Sequence, residues 1–216
     1  MRELAAAVAA ALLVSPYLAG LTLTAPDRTL TTWWQPRATS RGRYTVTAAA
    51  AVILAALAGA ATGLAAAWPA YVVLAALGAV LAVVDVETHR LPNRLLASLA
   101  ITGTVLLTVA AAVDSHWDQL GRAALGAVIV GVVFYLLALA SPRSVGLGDV
   151  KLAALLAGYL AWRGWLTMFA GLAGGFLAAG IAALALLGIG RANRATHVPL
   201  GPFLIAAALL AAASHS

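Results

Sequence analysis

Apolar residues fall in long runs along this chain, and polar residues gather in short islands between them. A helix needs roughly 17–25 residues to cross a bilayer. On that measure the runs give eight candidate spans, at 4–24, 45–67, 69–86, 95–113, 123–140, 150–162, 165–188 and 199–213. The sixth and eighth are short. The second and third meet at Trp68 and Pro69, and the sixth and seventh at Arg163 and Gly164, so both junctions read as tight turns. Ala and Leu dominate the runs without any period-two alternation, which favours helices over an outer-membrane barrel. The expected fold is all-α, a polytopic transmembrane bundle of about eight spans.

Composition agrees. The 216 residues are 63% hydrophobic and only 9% charged, with a mean hydropathy of +0.99. A soluble domain carries about 25% charged residues, so a water-soluble globule is excluded. There is no cysteine, which removes disulfides, thiolate nucleophiles and Cys-based zinc sites from consideration.

The net charge of +6 changes the picture only once it is distributed. With the N-terminus outside, the inner connections hold Arg28, Arg37, Arg41, Arg43, Arg90, Arg94, Arg143, Lys151, Arg191 and Arg194, ten of the thirteen basic residues. Arg2, Arg122 and Arg163 fall outside. Lys and Arg favour the cytoplasmic side, so both termini are expected outside. The same bias argues that the first span is retained rather than cleaved as a signal peptide. It also accounts for the basic charge without nucleic acid as a partner. Residues 1–44 then form an N-terminal span with a basic cytoplasmic loop, and residues 45–216 a second transmembrane unit.

This orientation brings DVETHRLPNR (85–94) and SPRSVGLGDVK (141–151) to one face, so Asp85 and Asp149 share a depth although 64 positions apart. Of the seven acidic residues, Glu3, Asp27, Asp114 and Asp118 read as solvated loop charges. His116 lies between the last two, but one short loop is a weak metal signal, and no metal or other cofactor is expected.

Asp85 follows an apolar run with no polar buffer, and a charge near hydrocarbon is costly and usually functional. Its plainer reading is a helix-end carboxylate paired with Arg90 or Arg94. Glu87 faces roughly the opposite side, and Pro92 should end the helix within THRLPN. For Asp149 the plainer reading is a helix N-cap, favoured by the helix dipole. Gly146 and Gly148 allow positive φ and close approach by another backbone, which a cap does not need. Lys151 either snorkels to the headgroups or steadies a nearby negative charge.

Together the two aspartates suit an aspartyl protease, which needs two carboxyls that cannot both ionise easily. The ionised one takes a proton from water and the protonated one donates to the developing oxyanion. The dipole at its helix start should keep Asp149 ionised and leave Asp85 as the acid.

These residues also resemble a known family. DVETHRLPNRL (85–95) is similar to the D-x-x-x-x-x-L-P-(D/N) motif of type IV prepilin peptidases, and GLGDVKL (146–152) to their G-x-G-D-x-K-L motif. The segment at 153–165, ending AWRGW, and PLGPFL (199–204) resemble later family segments, so the likeness spans roughly 70–205 in order. It implies catalytic roles for Asp85 and Asp149, with Gly146, Gly148, Lys151, Pro92 and Asn93 supporting them or the substrate. The implied reaction is removal of the leader peptide from prepilin, pseudopilin or Flp-type precursors. The implied place is the cytoplasmic face of the inner (plasma) membrane, with the bilayer and the precursors as partners. Many members also methylate the new N-terminus, using a cytoplasmic domain with Cys-x-x-Cys pairs. Here the corresponding loop is only about residues 25–44 and has no cysteine, and RYTVTAAAAV (43–52) lacks a glutamate common in the family. A peptidase without methyltransferase is therefore expected, serving a type IV pilus or related protein secretion system.

Two other readings use the same carboxylates. A presenilin-like or signal-peptide-peptidase-like protease also carries G-x-G-D, but has Pro-Ala-Leu where this chain has PLGP. A proton-coupled transporter would place its carboxylates near the bilayer midplane, often in repeated halves, whereas these lie at one face. The remaining features read as structural. Gly171 and Gly175 suit close helix packing, and Trp33, Trp34, Trp68, Trp162 and Trp165 suit interfacial belts. His89 and His197 could lie near the site, but lone histidines more often have a bland role.

Overall fold

A computed structural model of the chain describes residues 2–26, 33–61, 65–140, 146–189 and 199–214, and among these it contains helices and no strand. The helices are α1 (Arg2–Thr24), α2 (Arg41–Ala60), α3 (Trp68–Thr88), α4 (Asn93–Asp114), α5 (Trp117–Ala140), α6 (Leu147–Arg163), α7 (Trp165–Gly188) and α8 (Gly201–Ser214). Six of them, α1 to α5 and α7, are long and apolar enough to cross a membrane. With 17 and 14 residues, α6 and α8 are shorter. At 1.5 Å per residue they run about 25 Å and about 21 Å, against about 30 Å of hydrocarbon.

The bundle is built around α3. Its most apolar window is 67% buried, whereas those of the other five long helices are 22–33% buried. The outer helices instead expose large apolar side chains, among them Ile101, Val105, Val128, Leu136, Leu166 and Leu184. Apolar exposure on this scale suits a surface covered by lipid and not by water. The chain is a multi-pass membrane protein.

Glycines set how closely the helices meet. A Cβ at Gly171 would lie 2.7 Å from Leu160 Cδ1, and one at Gly175 only 2.9 Å from Leu204 Cα. These two glycines therefore let α7 press against α6 and α8, the packing role expected of them. At Gly78 a Cβ would stand 2.8 Å from Ile205 Cγ2, so α3 and α8 are equally close. The first turn of α8 is thereby wedged between α7 and α3.

Several boundaries differ from the hydropathy reading. The second helix ends at Ala60 rather than 67, and Ala65–Ala67 form a 3-10 turn before Pro69 opens α3. Asp114 is not simply a solvated charge: its Oδ2 accepts the Ala66 N–H at 3.2 Å and ties that turn to the end of α4. The fifth helix begins at Trp117 rather than 123. Its polar first turns carry Arg122, which donates to the carbonyls of Ala161 (2.6 Å) and Trp162 (2.7 Å) and so satisfies the last turn of α6. Trp162 is buried in the core and is not part of an interfacial belt, while Trp34 and Trp165 are exposed. Asp27, Arg28, Arg143, Arg191, Arg194 and His197 lie outside the described residues.

Candidate active site

Asp85 occupies the last turn of α3 and is buried, with 4% of its surface exposed. The helix closes one turn later, where His89 adopts a left-handed conformation (φ 50°) and donates its N–H to the Asp85 carbonyl at 2.8 Å. The His89 imidazole is also among the groups that act electrostatically on the Asp85 carboxylate. Glu87 turns away and pairs with Arg43 of α2 at 2.7 Å. The Asp85 carboxylate takes its hydrogen bond from an unforeseen source. Its Oδ2 accepts the backbone N–H of Gly201, 116 positions on, at 2.9 Å. Gly201 is the first residue of α8, so its N–H is one of the donors that no carbonyl within the helix can satisfy.

Asp149 is the third residue of α6 and not its N-cap. The cap position belongs to Gly146, and the Asp149 carboxylate reaches back to accept the Gly146 N–H. This is half of a capping box, in which an acidic side chain in the first turn satisfies the cap residue's own donor. Neither motif glycine uses positive φ: Gly146 is extended at φ −74°, ψ 142°, and Gly148 is helical. What they supply is space. A Cβ at Gly146 would lie 3.1 Å from Asp149 Oδ2, and one at Gly148 would lie 3.1 Å from Leu91 Cβ. The room beside Gly148 is filled by the α3–α4 turn of the same chain.

That turn is held from α6 as well. Pro92, extended at φ −64°, ψ 122°, is the residue from which α4 starts, as its ring restrictions require. Asn93 opens the helix, and its Oδ1 accepts a hydrogen bond from Lys151 Nζ at 2.8 Å. Lys151 therefore clamps the two motif segments together. Beside the turn a cavity of about 650 Å³ opens, lined by residues that include Pro26, Arg90, Leu91, Asn93 and Arg94.

The fold thus gathers all seven residues expected at the site: Asp85, Pro92, Asn93, Gly146, Gly148, Asp149 and Lys151. The charge of Asp85 is among those that act on Asp149, so the two carboxylates lie within electrostatic reach of each other. One argument from the sequence does not survive. A helix start was expected to favour charge on Asp149 alone, yet the start of α8 gives Asp85 the same kind of support. Gly201 was missed because PLGPFL carries no acid, base or nucleophile, and its one local signal is a glycine before a proline at a helix start. His116 and Asp118 lie at the α4–α5 junction, outside this site; among the described residues no group of three or more His, Asp or Glu could hold a metal.

Residues 72–214 match the type IV leader peptidase family. Comparison with curated proteins and with solved structures gives no match. The matched region runs from α3 to α8 and includes every residue of the site described above.

Proposed function

The chain belongs to the type IV leader peptidase family, and from that premise we propose that it is an aspartic endopeptidase with Asp85 and Asp149 as its catalytic dyad. Its substrates are the leader-bearing precursors of pilin-like proteins, cut where the leader meets the membrane on the cytoplasmic side. The observation that carries this reading is the electrostatic reach between Asp85 and Asp149. They come from two motifs on different helices, each carboxylate held by a glycine N–H, within reach of each other's charge.

In the reaction, the ionised member of the pair takes a proton from water, whose oxygen bonds to the scissile carbonyl carbon. The protonated member donates to the carbonyl oxygen, giving a neutral tetrahedral intermediate. When the C–N bond breaks, the amine nitrogen takes up a proton from the pair, one hydroxyl of the intermediate returns its proton to the pair as the carbonyl re-forms, and the acid product leaves. The two carboxyls end with one proton between them, as they began. Two negative charges so placed resist joint ionisation, so the acid and the base come from the same pair. The buried setting of Asp85 strengthens this coupling, because charges interact more strongly where water is sparse.

No cysteine pair is present to support a methyltransferase domain, so the product should leave with an unmethylated N-terminus. The cytoplasmic orientation is supported by the distribution of basic residues. Residues 1–44 form, in this reading, an accessory span and loop on the peptidase unit at 45–216.

Co-expression with a pilin precursor tests the proposal. The wild type should yield a shortened product, and Asp85→Asn and Asp149→Asn should each slow its appearance by at least about 100-fold, the scale of general acid–base catalysis. Normal processing in either variant, with both proteins present in the membrane, would remove the dyad.

A further inference from the structure

The site contains one residue that no acid–base argument supplies. Gly201 is buried, donates its N–H to Asp85 Oδ2 at 2.9 Å, and has no room for a side chain. A Cβ there would stand 2.8 Å from that same oxygen and 3.4 Å from the carboxyl carbon. The parallel with Gly146 is close. That glycine donates its N–H to Asp149, and its own Cβ would meet Asp149 Oδ2 at 3.1 Å. Each carboxylate thus rests on a glycine whose missing side chain lets the oxygen approach the backbone.

We propose that Gly201 is the positioning residue for Asp85, fixing the carboxylate orientation through its N–H and through the space left by its absent side chain. The inference rests on the reading of Asp85 and Asp149 as the catalytic dyad.

The surrounding packing makes this a fixed contact. Gly175 lets α7 close on Leu204, and Gly78 lets α3 close on Ile205, so the first turn of α8 is held from two sides. Leu204 N–H bonds to the Leu200 carbonyl at 3.1 Å, which places Gly201 at the first helical position. Pro202 follows and has no N–H to offer, so the neighbouring position supplies no competing donor. A hydrogen bond from a backbone N–H to a carboxylate is charge-assisted and stronger than a neutral one. The donor lies on backbone packed into the core, where a side-chain donor would have rotamers to search. Gly201 acts on the reaction only through Asp85 and is not itself catalytic.

The variant that tests this is Gly201→Ala, compared with Gly180→Ala, where an added Cβ meets nothing within 4 Å. Alanine keeps the N–H but forces Asp85 Oδ2 away from it. Precursor processing by purified protein should show kcat reduced about tenfold or more, with KM within about twofold. The acid limb of the pH–rate profile should move to higher pH, because a carboxylate deprived of its donor is less willing to ionise. Thermal unfolding in detergent should stay near that of Gly180→Ala. A rate loss that merely follows lost folded protein, with an unmoved pH profile, would make Gly201 structural only and overturn the proposal.

A second measurement needs no substrate. In an Asp149→Asn background, the infrared carboxylate band lost on adding Asp85→Asn reports Asp85, and its titration should shift when Gly201→Ala is introduced. An unshifted band overturns the positioning role even if the enzyme cleaves precursors. A shifted band in a protein that cleaves no precursor sustains the contact and sinks the peptidase reading instead.

Discussion

Lys151 donates to Asn93 across two segments that meet only through the fold, at 2.8 Å. It lies two residues after Asp149, and Asn93 follows the Pro92 that ends the turn after Asp85. The bond therefore sets the relative position of the two motif segments without entering the chemistry. Both side chains are exposed, so the pair should matter more to alignment than to stability, since exposed charged contacts contribute about 0–1 kcal/mol. Lys151→Met and Asn93→Ala should each cut processing by about tenfold, in line with small misplacements of catalytic groups. The double variant should be no slower than either single one, because the two changes remove the same contact. Asn93→Asp keeps an acceptor and should retain most activity. Fully additive losses in the double variant would show that the two residues act separately. From the sequence Lys151 had two possible uses, headgroup snorkelling or charge support, and the structure shows a third. Its partner is a neutral amide, a pairing that no spacing rule could reveal across 58 positions.

At the level of elements, α4 and α6 meet through a glycine and a tyrosine. Tyr159 is buried, and its hydroxyl sits in the notch where Gly103 lacks a side chain. That hydroxyl has no hydrogen-bond partner among the described residues, while the Tyr159 carbonyl accepts the Tyr71 hydroxyl at 2.6 Å. The two rings stand edge to face at 5.5 Å, linking α3 to α6. Gly103→Ala should overpack this joint and destabilise the protein by about 1–3 kcal/mol. Tyr159→Phe alone should be close to neutral, since it removes an unpaired polar group together with its burial cost. Combined with Gly103→Ala, it should recover much of the lost stability, because the oxygen in the notch is gone. Thermal unfolding of the four proteins in detergent reads the cycle, and purely additive effects would place the strain elsewhere. The helix ends were legible where the signals were local. Pro92 ended α3 as expected, and Gly164 parted α6 from α7. The start of α5 was not legible, because hydropathy discards the polar first turns that let Arg122 cap α6. The link from α8 to Asp85 was hidden for a different reason, since an unremarkable apolar helix start acts through its backbone.

For the molecule as a whole, the charge pattern and the fold make a joint statement. The site is assembled from the end of α3 and the starts of α4, α6 and α8, so these four helix termini belong to one end of the bundle. The α4–α5 turn at Ser115 stands one full helix away from Asn93, at the opposite end. Arg90 and Arg94 flank the site, and basic loops favour the cytoplasm, so the site end should be cytoplasmic and the Ser115 turn external. The natural chain has no cysteine, which allows single-cysteine variants without background substitutions. Arg90→Cys should react with a membrane-impermeant maleimide only after the membrane is opened, whereas Ser115→Cys should react in intact cells. Both positions are exposed, so failure to label would not come from burial. The reverse pattern would turn the dyad to the outside and exclude cytoplasmic leader removal, because a precursor whose leader is still cytoplasmic could not present its scissile bond there. Labelling of both from one side would contradict the antiparallel path of α4 itself, since 22 helical residues span about 33 Å.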